Sequence, residues 1–188
     1  MTSDYKLNKL LQDTPGYQGV YLYNQLDQAL PLTNGFIVVN YVTTNEASQG
    51  KVGHFVVIDN RRDLIKGNGE TIGPYYFDGY GLVPDEAREY MGLDNPHYIS
   101  KFLDKITKHH VPHNTHDFQS VQPWDSLCGV YSIVYGKNPN FKTNYMLSPE
   151  RTATDRQIQN IAQRLGVVGD KPLSYRNAEE AIRTLSDI

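Results

Sequence analysis

At 188 residues and 39% hydrophobic, the chain is long enough for one well-buried domain and short for two. A net charge of -3 and the lack of any basic run give little electrostatic support to nucleic-acid or membrane-surface binding. No apolar stretch nears the roughly 20 residues a bilayer-spanning helix needs. The single cysteine, Cys128, excludes an internal disulfide, and residues 1–11 carry no apolar signal core, so a reducing compartment is expected and secretion is not.

Residues 17–23 carry a weak strand pattern. Residues 35–42 and 53–59 read as buried strands, the second stopped by the polar run Asn60-Arg61-Arg62-Asp63. A glycine-bearing loop over residues 66–73 leads to a third strand, residues 74–79, which ends at Asp78. Asn95 followed by Pro96 resembles a cap with proline at the first helical position. Ile99, Phe102, Leu103 and Ile106 then mark one apolar face. Residues 117–121 form a short strand feeding the segment Gln122-Pro123-Trp124-Asp125-Ser126-Leu127-Cys128-Gly129. There Ser126 is an N-cap, Leu127, Val130, Tyr131 and Val134 recur at helical spacing, and Gly136 is a stop.

Two capping boxes follow, Thr154 with Gln157 and Asn177 with Glu180, each before an apolar periodic run. The expectation is an α+β fold: a central mixed β-sheet flanked by helices, one domain over residues 1–188, with a C-terminal helical segment at about residues 148–188. The 14 tyrosines have no evident reason at this level beyond the tendency of tyrosine to line half-wet clefts.

Cys128 carries the chemistry. In the first turn of a buried helix, unpaired N–H groups and the positive end of the helix dipole favour thiolate over thiol. A thiolate nucleophile needs a base, an orienting group for that base, and donors for the developing oxyanion. Among six histidines, His54 opens a strongly apolar strand that would anchor it at a sheet edge. Taken alone it reads first as an ordinary strand-end histidine. Asp78 would orient the imidazole, or it simply begins the Asp-Gly turn. Asp59 lies five residues along the same strand from His54, about 16 Å away at the usual rise, and is out of reach. Gln122, with the Cys128 N–H, would form an oxyanion hole, or else it only bonds its own loop. Trp124 and Gly53 are candidates for the substrate cleft.

The segment His109-His110-Val111-Pro112-His113-Asn114-Thr115-His116 invites a metal reading. It lacks a recognisable zinc pattern, so a solvated loop with some pH sensitivity is expected, with no metal and no cofactor.

Taken together, Gly53-His54, Tyr76-Phe77-Asp78-Gly79-Tyr80-Gly81, Gln119-Ser120-Val121-Gln122 and Cys128-Gly129-Val130-Tyr131 resemble the adenovirus-protease-like cysteine proteases. That clan also holds the ubiquitin-like-modifier proteases. The overall flavour is most similar to the maturation proteases of virophage or Polinton-type DNA viruses, and the likeness spans roughly residues 50–136. It implies a papain-like site in His-Asp-Gln-Cys chain order: His54 as base, Asp78 as its orienter, Gln122 as oxyanion donor and Cys128 as nucleophile. It also implies cleavage of capsid or other virion precursors, in the virion and in the host-cell cytoplasm or viral factory. Deconjugation of ubiquitin-like modifiers is the alternative, with acetyl transfer by the same Cys-His pair and an inactive virion or scaffold protein of the same fold as more distant ones.

The chain departs from the clan pattern at Phe55, where many relatives have tryptophan, and at Leu127, where the modifier proteases have aspartate. A disulfide-linked peptide activator would occupy the lone thiol, so none is expected. The acidic balance argues against a nucleic-acid activator, and a membrane partner is not expected.

Overall fold

The computed structural model describes residues 4–51, 53–61, 74–115 and 128–137. Ten elements follow in chain order: α1 (Asp4–Leu11), β1 (Tyr17–Leu22), a 3-10 helix (Tyr23–Ala29), β2 (Phe36–Asn40), α2 (Thr44–Ser48), β3 (Phe55–Asp59), β4 (Tyr75–Asp78), α3 (Glu86–Tyr90), α4 (Tyr98–Ile106) and α5 (Cys128–Lys137). The strands form one mixed sheet in the order β1-β2-β3-β4, with β1 parallel to β2 and the remaining pairs antiparallel. This is the α+β architecture with a mixed central sheet that the hydrophobic pattern predicts.

Strand residues alternate between two buried layers, as a period of two requires. Phe36, Val38, Phe55, Val57 and Phe77 face the layer built by α1 and α5. Ile37, Val39, Val56, Ile58 and Tyr76 face the 3-10 helix, α3 and α4. Because both sheet faces are covered, β2 and β3 are buried at every residue. Helix α5 is itself buried at each residue from Cys128 to Gly136, which explains its apolar character all round.

Three sequence expectations need correction. Gly136 does not end α5, which runs to Lys137. A Cβ there would come within 2.7 Å of the Phe36 ring, so the glycine serves close packing of helix on sheet. Helix α4 does not begin at Pro96 under an Asn95 cap. It begins at Tyr98, and its free N–H groups at Ile99 and Ser100 donate to the buried carboxylate of Asp85, at 3.0 and 2.9 Å. A remote side chain does the capping there. The histidine segment is also less solvated than expected. His109 and His110 are exposed, but Val111 and Asn114 are buried, the Tyr76 N–H donates to the Pro112 carbonyl at 3.0 Å, and His113 bridges Tyr76 in parallel fashion. Residues 112–114 thus lie along β4, and His116 lies outside the described residues.

The structure supplies a reason for many of the tyrosines: Tyr23, Tyr41, Tyr75, Tyr76, Tyr131 and Tyr135 are core residues. Helix α1, short and polar in sequence, is held by Leu7 and Leu11 against α5. Among the described residues no helix is long and apolar enough to cross a membrane. The expected strand at residues 117–121, Ser126 and the C-terminal helical segment lie outside the described residues.

Candidate active site

One end of the sheet gathers the side chains that the sequence singles out. In the β3–β4 register Val56 pairs with Asp78, so the chain just before β3 and the last residue of β4 lie at the same edge. His54 precedes β3 by one residue and Asp78 closes β4. His54 Nε2 and Asp78 Oδ1 are 2.9 Å apart, with the ring 7% exposed and the aspartate fully buried. The side chain of Cys128 also acts on His54, by hydrogen bonding and by charge, both in the direction of the protonated ring. Cys128 is the first residue of α5 and 4% exposed. A nitrogen in the first turn of a helix has no partner four residues back.

Electrostatics follow from this geometry. Burial is the largest influence on His54 and disfavours its charged form. The Asp78 carboxylate, by charge and by hydrogen bond, and then Cys128 act the other way and prevail, raising the pKa to about 10. The protonated form of the ring is therefore the favoured one.

Two aromatic rings fix the imidazole plane. Tyr41 stacks at 5.9 Å between centroids, and Tyr80 lies at 5.0 Å on a tilted plane. Asp78 also begins a turn, as the plainer sequence reading holds. The Tyr80 N–H donates to Oδ1 at 2.7 Å and the Gly81 N–H to the Asp78 carbonyl at 3.0 Å. The two readings of Asp78 are compatible, because one carboxylate oxygen accepts from both the turn and the imidazole.

Asn114, from the histidine-rich segment, locks the Asp78 backbone. The Asp78 N–H donates to Asn114 Oδ1 at 2.9 Å, and Asn114 Nδ2 donates back to the Asp78 carbonyl. Sequence reasoning passed over this residue; its only signal was an amide among the histidines.

Asp59, at the far end of β3, is engaged by Arg61 and takes no part. Gly53 is half-buried, and its lack of a side chain has a steric cause, since a Cβ there would sit 1.7 Å from Asn40 Oδ1. Gln122 and Trp124 lie outside the described residues. Among the described residues no group of three or more histidine, cysteine or acidic side chains is arranged to hold a metal ion.

The arrangement brings together a thiol, an imidazole and a carboxylate, the three kinds of group that acyl transfer by a cysteine draws on. No known protein-family model matches the chain, and comparison with curated proteins finds no match.

Proposed function

We propose that this protein is a cysteine endopeptidase of the adenovirus-protease type that cleaves capsid or other virion precursors during maturation. One observation carries the hydrolase reading: a buried His54–Asp78 pair at 2.9 Å whose imidazole also bonds the thiol of Cys128, at the start of a helix. The substrate class rests on the motif resemblance around these residues.

In the first half of the reaction the Cys128 sulfur attacks the scissile carbonyl carbon. The oxyanion that forms is met by the Cys128 N–H and by Gln122, the second donor in this proposal. The His54 imidazolium gives its proton to the leaving amine as the C–N bond breaks, which leaves a thioester and a neutral ring. Water then loses a proton to His54 and attacks the thioester. The acid leaves, and the thiolate–imidazolium pair is restored. Asp78 keeps the ring oriented and stabilises its charged form throughout.

The test is incubation of the wild-type protein and Cys128→Ala with candidate capsid precursors, read by mass spectrometry. Processing is expected from the wild type alone. Equal processing by Cys128→Ala would remove the proposal. Intact capsid proteins together with turnover of a ubiquitin-like-modifier conjugate would reassign the same chemistry to deconjugation.

A further inference from the structure

We propose that Tyr76 and Tyr41 are positioning residues for His54, their hydroxyls forming a one-way chain of donors that runs from the Asp85 N–H to the second oxygen of Asp78. The inference deepens the hydrolase reading and rests on it for its effect on rate, though not for its effect on the imidazole.

The chain is continuous. The Asp85 N–H donates to the Tyr41 hydroxyl at 2.9 Å, the Tyr41 and Tyr76 hydroxyls are 2.7 Å apart, and the Tyr76 hydroxyl donates to Asp78 Oδ2 at 3.3 Å. Its direction is fixed at both ends. A backbone N–H only donates and a carboxylate only accepts, so the Tyr41 hydroxyl must point at Tyr76 and that of Tyr76 at Asp78. Burial raises both phenols well above the ordinary tyrosine value, so each keeps its proton. Tyr41, Tyr76, Asp78 and Asp85 are all at 0% exposure, so bulk solvent does not reach these donors.

The anchor is hydrogen-bonded from two elements. Asp85 sits at φ 72, and its carboxylate is held by the Tyr23 hydroxyl at 2.6 Å and by the first turn of α4. The relay therefore ties the α4 side of the core to the sheet end that bears His54.

Its effect on the imidazole has a definite sign. A hydroxyl proton aimed at Oδ2 stabilises the Asp78 anion and makes it a weaker base toward His54; it also adds positive potential near the ring. Around the ring stand Asp78 from β4, Cys128 from α5, Tyr41 after β2 and Tyr80 after β4. Removing the Tyr76 hydroxyl leaves Asp78 the stronger base and raises the His54 pKa. A less acidic imidazolium gives its proton to the leaving amine more slowly, so the rate falls.

Tyr76→Phe and Tyr41→Phe each delete one oxygen and keep the ring. The His54 imidazole is titrated by NMR in the full chain, its resonance assigned by its loss in His54→Gln. The pKa is expected to rise by about half a unit to one unit in Tyr76→Phe and by less in Tyr41→Phe. The basic limb of kcat should move the same way, with kcat down about 3- to 10-fold and KM unchanged. If Tyr76→Phe does not fold, Tyr41→Phe, one bond further from the ring, carries the test. Wild-type titration of His54 in the folded variants, with only thermal stability lowered, overturns the relay. Loss of the hydrolase reading through active Cys128→Ala would leave this titration still decisive.

Discussion

His54 Nε2 and Asp78 Oδ1 meet at 2.9 Å because the antiparallel register of β3 and β4 sets Val56 opposite Asp78. A slip of β4 by one residue would turn Asp78 to the other face of the sheet, away from His54. The pairing is thus a property of the hydrophobic alternation that fixes the register, and substitutions at the pair can be read without the fold changing.

Asp78→Asn removes the charge that holds His54 protonated and leaves an amide that still fits the site. The His54 pKa should fall, the basic limb of kcat/KM should move to lower pH, and kcat should drop about 10²-fold. The loss should stay below that of Cys128→Ala, which removes the nucleophile itself. A basic limb unmoved in Asp78→Asn would show that the carboxylate does not set the state of the ring.

The raised His54 pKa also bears on stability. The ring titrates near 6.5 when unfolded and at about 10 when folded, so the folded form binds the proton more tightly. The resulting stabilisation is complete below about pH 6.5 and is lost as pH rises toward the folded value. Urea unfolding of wild type and His54→Gln should show the wild-type advantage shrinking from pH 6 to pH 10. A constant difference across that range would contradict the pairing.

Asn114→Ala tests the clamp on β4. Two buried backbone groups of Asp78, its N–H and its carbonyl, lose their partners, at a cost of about 2–4 kcal/mol. The unfolding midpoint in urea should fall accordingly, and the His54 titration should broaden or shift as Asp78 loosens. Unchanged stability would mean that water or another group takes over both bonds.

Much of this site is visible in the sequence, and the boundary of what is visible has a physical basis. His54, Asp78 and Cys128 are legible because each stands at an element's end, where apolar periodicity begins or stops. Asn114 is not, since it acts on a backbone 36 residues away and the bond leaves no local pattern. The Tyr41–Tyr76 contact, 35 residues apart, is hidden for the same reason. The start of α4 is hidden too, because Asp85 caps it from another element, whereas a cap legible in sequence is a neighbour. Helix α1 escaped notice because Leu7 and Leu11 are its only buried residues, too few to show a period.

Arg88, in α3, holds that helix to α2. It is 1% exposed, donates to both Glu46 oxygens at 2.7 and 3.0 Å and to the Tyr41 carbonyl at 2.9 Å, and lies over the Tyr23 ring. Hydrogen bonding to Arg88 lowers the Glu46 pKa to about 2. Arg88→Met should cost about 3–5 kcal/mol. Because the Glu46 value is depressed on folding, its share is present above about pH 4.5 and lost as pH falls toward 2. The gap between wild type and variant in urea unfolding should narrow over that acid range; parallel curves would refute the assignment.

Gly53→Ala tests whether the residue before His54 is glycine for space alone. Its backbone does not need the left-handed region, but an added Cβ would sit 1.7 Å from Asn40 Oδ1 and 3.2 Å from Val42 Cγ1. Asn40 cannot swing aside freely, since its Nδ2 donates to Asp4 at 3.1 Å and the residue is 8% exposed. The alanine should therefore destabilise by about 1–3 kcal/mol and displace His54, lowering kcat. Adding Asn40→Ala removes the colliding atoms and should recover most of the lost activity. If Gly53→Ala with Asn40→Ala is no better than Gly53→Ala alone, the glycine is required by something other than the asparagine, and a direct contact of its backbone with substrate becomes the explanation to test.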